Sequence, residues 1–403
     1  MRIENIEIKD FKGIDALEFK PKKLNFIVGR NNTGKSSILQ AINMVFNPIR
    51  ASFYSMPTKL INFHSKYSET IIQTSEKKRY SIKIEKADEN ETMYQFKKDL
   101  VDSIGANFHK LDKKFDETLR VEIENKISES INKELVSFLT KESIAITIND
   151  KNKKIYYQLF RRDSRRVLID FIKSILEYLK SKIHPNKSEI SHIERRLLLD
   201  ASSIAFGIEE RNMKHEMKEN NVLLIEDALM NYFIIVGDQE IDRINKVEKF
   251  LKEYNIIDGL ERLSLEEVLF VNGEKIPFEF LGDGSKAIIG LLWSISSKEI
   301  SDRVILLDEP ENHMHPGYIK ELLKILIRFS KEFNIQFFIA THNIDFINMI
   351  FDKDLTQEEK DYLQKEVFVM RMEKIKDYTS PVKFNYEDSK NNIEKMSSDL
   401  RGI

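Results

Sequence analysis

The chain has 403 residues, enough for more than one substructure with a large buried core. Its 64 Lys+Arg against 66 Asp+Glu leave a net charge of -2, which excludes an overall basic field for nucleic acid and confines any such contact to a local patch. The lack of cysteine excludes disulfides and thiolate metal sites, no apolar run approaches the roughly 18 residues of a membrane span, and Met1-Arg2-Ile3-Glu4 lacks the apolar core of a signal peptide, so a soluble cytoplasmic protein is expected.

Residues 1–28 read as antiparallel strands: Ile3, Ile6 and Ile8, then Ile14, Leu17 and Phe19, then the run Leu24–Val28, with turns at Lys12-Gly13 and Pro21. Gly29-Arg30-Asn31-Asn32-Thr33-Gly34-Lys35-Ser36-Ser37 follows directly and fits G-x-x-x-x-G-K-[ST]. Ile38-Leu39-Gln40-Ala41-Ile42 continues it as a helix that stops before Pro48. Strand, glycine turn and helix are what a phosphate cradle needs, because the turn wraps backbone N–H groups around anionic oxygens while the helix N-terminus points at them. In that cradle Gly34 allows close backbone approach, Lys35 reaches the β- and γ-phosphates, and the Ser36 hydroxyl binds Mg²⁺. A nucleoside triphosphate is the expected ligand.

Beyond this loop, Ile71-Ile72 and Tyr80–Ile84 read as strands joined by the turn Glu76-Lys77-Lys78. The period then lengthens. Ile104, Phe108, Leu111, Phe115 and Leu119 recur at three and four, and Ile123, Ile127, Ile131 and Leu135 at four, as amphipathic helices do. Further helices are expected at Val167–Leu179 and Ile241–Tyr254, with Pro185 between them. Without heptads or repeats, this stretch reads as a compact helical insertion. Strand character returns at Glu267–Val271, turns at Asn272-Gly273 and comes back over Ile276–Phe280. A helix at Ser285–Ser296, a strand at Val304–Leu307, a helix at Tyr318–Phe329 and a strand at Phe337–Ala340 then alternate, the pattern of a parallel sheet buried on both faces.

Three places in this second half carry candidate chemistry. Val304–Leu307 ends in Asp308-Glu309-Pro310-Glu311, and ligands of open α/β sheets sit beyond the carboxyl ends of strands. Asp308 is the candidate to hold Mg²⁺ and Glu309 to deprotonate an attacking water. The strand Phe337–Ala340 ends in Thr341-His342-Asn343, where His342 can hydrogen-bond a γ-phosphate or the water. Leu281-Gly282-Asp283-Gly284-Ser285-Lys286 opens a helix and offers a second anion cradle. Lys151, Lys153, Lys154, Arg161, Arg162, Arg165 and Arg166, interleaved with Tyr156, Tyr157 and Phe160, form one basic patch that reads either as a solvated face, the commoner case, or as a contact for DNA.

With these motifs in this order, the sequence resembles the ABC-type ATPases of the RecF, SMC and OLD (overcoming lysogenization defect) group over roughly residues 1–85 and 260–350. The resemblance implies an α/β P-loop ABC-type head, a mixed β-sheet with helices on both faces plus N-terminal antiparallel strands, with an inserted helical arm. The lobes are expected at 1–95 and 256–403, and the arm at 96–255. Gly29–Ser36 is then Walker A, Leu281–Lys286 the signature loop, Val304–Glu309 Walker B, Asn312–Pro316 the D-loop (with His313 and His315 as its members, not a zinc site) and His342 the switch histidine. Gln73 is the choice for the Q-loop glutamine that meets the metal. Lys12 matches a basic residue near the nucleotide, or is a solvated turn. Gly282 and Asp283 depart from the usual signature serine and glycine and look OLD-like, so Ser285 or backbone N–H groups become the contacts to γ-phosphate.

Such heads form head-to-tail homodimers around ATP and Mg²⁺. The length after His342 is expected to hold no TOPRIM nuclease and no D-x-D metal pair, so an effector such as a nuclease or toxin is absent or separate. The reading is an ATPase in a DNA-linked or antiviral defence assembly, without a membrane. The alternatives are a nucleotide-gated scaffold with slow hydrolysis and a transporter's nucleotide-binding subunit.

Overall fold

Apolar alternation starts the chain as a hairpin. Strand β1 (Ile3–Phe11) pairs antiparallel with β2 (Ile14–Phe19), and the turn between them holds Lys12 at φ 53°. The unbroken run of β3 (Leu24–Val28) has no polar face, and every one of its residues is buried. It therefore leaves the hairpin pattern and enters a sheet covered on both sides, followed by α1 (Lys35–Phe46). The expectation that this third strand is antiparallel is corrected here: β3 pairs parallel to both of its neighbours.

A computed structural model describes residues 1–54, 56–110, 116–156, 165–183, 221–226, 241–264, 266–296, 300–312, 314–375 and 378–396. The next elements are β4 (Tyr67–Thr74), β5 (Arg79–Lys86), α2 (Glu89–Lys110), α3 (Glu117–Ser130), α4 (Lys133–Thr140), β6 (Ile144–Ile148), β7 (Asn152–Tyr156) and α5 (Arg165–Ile183). They are followed by β8 (Val222–Ile225), α6 (Ile241–Glu253), β9 (Leu260–Leu263), β10 (Glu267–Phe270), β11 (Lys275–Pro277), α7 (Asp283–Ile295), β12 (Val304–Asp308) and α8 (Pro316–Glu332). The chain closes with β13 (Gln336–Thr341), α9 (Ile344–Met349), α10 (Gln357–Glu366), β14 (Val367–Ile375), β15 (Tyr378–Phe384) and α11 (Tyr386–Met396). Among the described residues no helix is long and apolar enough to cross a membrane.

The chain divides into two compact units. The first comprises Met1–Phe46, Thr70–Tyr80 and Asn220–Ile403. Its six-stranded sheet has the order β15-β14-β3-β13-β12-β8, parallel from β14 to β8, with β15 antiparallel at one edge. Phe26 of β3, Ile305 of β12 and Phe337 of β13 join Leu291 and Leu292 of α7 and Leu322 and Leu326 of α8 in one buried cluster. Gln336, fully buried, anchors the N-terminus to this sheet: it accepts from the Ile3 amide at 2.8 Å and donates to the Ile3 and Lys22 carbonyls.

The second unit comprises Asn47–Glu69 and Ser81–Glu219. Helices α2 to α5 pack Phe96, Leu100, Ile104, Ile123, Ile127, Leu135, Phe171 and Leu179 together. The helical run at Ile123 to Leu135 is broken at Asn132, whose side chain accepts from the Leu135 amide and caps α4. The insertion is not purely helical, because β6 pairs with β5 and with β7 in antiparallel register. Its borders also differ from 96–255: residues 47–69 join it, and β8 belongs to the first unit's sheet.

Candidate functional site

Parallel pairing brings four strand ends to one edge. Val28 lies opposite Thr341, Ala340 opposite Asp308, and Leu307 opposite Ile225. The residues that follow (Gly29 after β3, His342 after β13, Asp308-Glu309 at β12 and Glu226 after β8) therefore converge although they come from distant parts of the chain. A cleft of about 500 Å³ opens there, lined by Asn31, Asn32, Gly34, Lys35, Ser36, Ser37, Glu226, Asp308, Glu309 and Asn312.

The loop folds as its glycines require. Gly29 has φ +151° and Gly34 φ +91°, and a side chain at Gly29 would meet the Met372 carbonyl at 2.6 Å. Thr33 Oγ1 donates to the Arg30 carbonyl at 2.8 Å, and Lys35 Nζ donates to the same oxygen at 3.0 Å. Lys35 is only 4% exposed. Burial lowers its pKa, opposed by Glu309, Asp308 and Glu311, and Glu309 Oε1 lies 4.0 Å from its nitrogen. Ser36 Oγ donates to Asp308 Oδ1 at 2.9 Å. Burial raises the Asp308 pKa, with Glu309 and Glu226 adding to the rise and Ser36 and Lys35 opposing it.

Glu309 sits at φ 48°, a left-handed conformation uncommon outside glycine and asparagine, and its amide donates to the Ala340 carbonyl at 2.8 Å. His342 Nδ1 lies 2.8 Å from Glu309 Oε1, and Asn312 Nδ2 donates to Glu309 Oε2 at 3.2 Å. A carboxylate only accepts, so against an ionised Glu309 the proton of the imidazole is on Nδ1. Behind this pair Glu311 is 2% exposed and accepts from Thr341 Oγ1, while its Oε2 is buried without a hydrogen-bond partner. Burial pushes its pKa up to about 7, against the hydrogen bond from Thr341.

The expected residues thus fall into two groups. Asn31, Asn32, Gly34, Lys35, Ser36, Ser37, Asp308 and Glu309 line one cleft; His342 touches its Glu309, Gly29 and Thr33 belong to the same loop without lining it, and Arg30 contributes its carbonyl to Thr33 and Lys35. Lys12 donates to Gln40 Oε1; burial lowers its pKa and Glu226 opposes that shift. Gly282, Asp283, Gly284, Ser285 and Lys286 open α7 and do not line the cleft. Gln73 does not line it either but stands exposed on β4, so its assignment as the metal-facing glutamine is corrected; the further carboxylate in the cleft is Glu226.

Sequence reading missed Glu226, although Val222-Leu223-Leu224-Ile225-Glu226 repeats the apolar-run-then-carboxylate pattern of Val304–Asp308. It also passed over Asp352-Lys353-Asp354, a D-x-D after His342; Lys320 engages these carboxylates at 3.2 and 2.9 Å. Of the basic patch, Lys153 pairs with Glu91 at 2.8 Å and Glu85 at 3.6 Å, which favours a solvated face there. Tyr157, Phe160, Arg161, Arg162 and, in the expected D-loop, His313 lie outside the described residues.

Comparison with known proteins agrees with this geometry. The family model described as "AAA domain, putative AbiEii toxin, Type IV TA system" matches residues 24–348, and the chain belongs to that family. It is similar to the ATP/GTP phosphatase of Helicobacter pylori, 22% identical over 410 residues that cover 92% of this chain and 93% of the relative. It is also similar to the Retron Vc95 probable ATPase of Vibrio cholerae, 21% identical over 378 residues, 85% of this chain and 70% of the relative. The SMC head domain from Thermotoga maritima aligns over 96% of this chain and 100% of its own at 14% identity and a TM-score of 0.45, a likeness too distant to argue from. The chain is an ATPase of this AAA family, built on an α/β sheet with the phosphate loop between β3 and α1.

Proposed function

We propose that the chain hydrolyses ATP with Mg²⁺ in this cleft, as one half of a head-to-tail homodimer. The observation that carries the reading is the 2.9 Å bond from Ser36 to Asp308, which joins the loop after β3 to the end of β12. The backbone of Gly29–Ser37 and the Lys35 ammonium bind the phosphates. Ser36 and Asp308, with Glu226 nearby, offer hydroxyl and carboxylate oxygens, hard donors of the kind Mg²⁺ takes. A cation held by these residues would neutralise charge on the phosphate oxygens. Glu309 takes the proton of the attacking water, and His342 orients Glu309 through the Nδ1 contact. Lys12 adds positive charge facing the cleft's Glu226.

The signature loop Gly282–Lys286 meets the nucleotide of a second copy, since it does not line the cleft of its own subunit. Loss of the γ-phosphate then separates the faces. The family's description, which names a toxin–antitoxin system, and the name of the retron ATPase support a role beside a separate effector, a nuclease or toxin, in a DNA-linked or antiviral assembly.

The test is phosphate release from ATP with Mg²⁺ and with chelator, together with light scattering in ATP. Turnover that needs the metal and a mass that doubles with ATP are expected. A protein that stays monomeric with ATP bound sinks the dimer, and hydrolysis untouched by chelator sinks the metal.

A further inference from the structure

The signature loop is held by a residue that sequence reading did not single out. Ser285 is 7% exposed, and its Oγ lies 2.8 Å from the hydroxyl of Tyr318. The ring of the same tyrosine lies against Gly284: a methyl group added there would stand 2.8 Å from Tyr318 Cδ2 and 3.2 Å from Cγ. Tyr318 thus supports the loop twice, by its ring and by its oxygen.

Tyr318 is itself fixed by the chain that leaves the cleft. Asn312 donates to the Glu309 carbonyl at 3.1 Å and to its carboxylate at 3.2 Å. Met314 then donates to the Glu311 carbonyl at 3.0 Å. His315 caps α8, accepting from the Gly317 amide on Nδ1, and the Tyr318 amide donates to the His315 carbonyl at 2.8 Å. Successive tight turns lead from the water-activating Glu309 to the ring that holds the signature serine.

The proton inventory then sets the direction of the Tyr318–Ser285 bond. A serine hydroxyl has one proton, and a phosphate oxygen only accepts. For Ser285 to bind a phosphate it must donate, so its bond with Tyr318 must be one in which Tyr318 is the donor.

We propose that Tyr318 is a positioning residue for hydrolysis: its hydroxyl donates to Ser285 Oγ, fixing that serine with its own proton free for a γ-phosphate presented by a second copy of this chain. This rests on the reading of Gly282–Lys286 as the loop that meets the partner's nucleotide. Tyr318 serves the neighbour's ATP, while Asn312, in the same connection, holds the Glu309 that serves its own.

The test compares Tyr318→Phe, Ser285→Ala and the double variant in full-length protein, reading kcat at saturating ATP, affinity for a fluorescent ATP analogue, and melting temperature. Tyr318→Phe is expected to lower kcat about tenfold, the effect of roughly 1.4 kcal/mol lost from one hydrogen bond, while nucleotide affinity and melting temperature hold. Ser285→Ala is expected to lower kcat as well, and the double variant to fall no further than Ser285→Ala alone. If Ser285→Ala is impaired and Tyr318→Phe is not, or if the two losses add, Tyr318 does not act through the serine and the proposal fails alone. If Ser285→Ala turns over normally, the trans-acting reading of the loop fails and takes the proposal with it.

Discussion

The molecule has two glycine loops at helix N-termini, Gly29–Ser36 before α1 and Leu281–Lys286 before α7, and they use glycine for different reasons. In the first, Gly29 and Gly34 hold backbone conformations closed to other residues, φ +151° and +91°. In the second, Gly282 has φ -62°, open to any residue, and Gly284 is required for space, because the Tyr318 ring occupies the place of a side chain. The first loop is completed within the same chain by Asp308 and Glu309 from across the sheet. The second is braced from behind by Tyr318 and has no such partner in the cleft. A loop that must wrap an anion is fixed through its dihedrals. The second loop is fixed through packing instead, by the Tyr318 ring against Gly284.

The contrast can be broken at the first loop's chemistry, where the effects are largest. Glu309→Gln should lower turnover by about 10²–10⁴-fold, as for loss of a general base, while ATP stays bound and the dimer accumulates in light scattering. Normal turnover in that variant would place the base elsewhere. Lys35→Ala acts earlier, on binding. Loss of a buried charged partner costs roughly 3 kcal/mol, so affinity for a fluorescent ATP analogue should fall about a hundredfold.

The division between what the sequence revealed and what it hid follows the same line. Gly29–Ser36, Asp308-Glu309 and His342 were legible because each is a local run: an apolar strand ending in a chemical group. Glu226 has the same pattern, but β8 is only Val222–Ile225, four residues among helices, and its meaning comes from pairing with β12 far along the chain. The hairpin β14–β15 was not foreseen, since Val367–Ile375 mixes Arg371, Glu373 and Lys374 into a strand that pairs parallel to the buried β3. Antiparallel neighbours are the default guess for strands close in sequence, which is why β3 was misassigned. Tyr318 carried no signal at all, because its contact with Ser285 exists only once α7 and α8 are packed.

Glu311 tests the support behind the first loop. Its pKa in the fold, about 7, exceeds the ordinary 4.5, so between those values the native state holds a proton that the unfolded chain has released. Stability therefore falls as pH rises through that window, by up to about 3 kcal/mol. Glu311→Gln has no such titration. Its unfolding free energy should fall less steeply than the parent's from about pH 4.5 to 7 and exceed that of the parent most at and above pH 7, as read by urea denaturation at several pH values. Parallel pH profiles for the two proteins would show that the carboxyl is not held neutral.

The smallest effect sharpens the comparison most directly, because one methyl group is placed in each loop. Gly284→Ala forces the Tyr318 ring to move, an overpacking that costs about 1–3 kcal/mol and separates the tyrosine hydroxyl from Ser285. Gly34→Ala meets only ordinary contacts, Thr379 Oγ1 at 3.6 Å being the nearest, but cannot keep φ +91° without strain of about 1–3 kcal/mol. The losses in melting temperature should be similar, and the functional losses opposite. Gly34→Ala should weaken nucleotide binding, since the amides that wrap the phosphates turn away. Gly284→Ala should bind the analogue normally and turn over slowly, as Tyr318→Phe does. If Gly284→Ala instead loses nucleotide affinity in dilute, monomeric protein, the second loop belongs to its own subunit's cleft, and the two loops are not divided between copies.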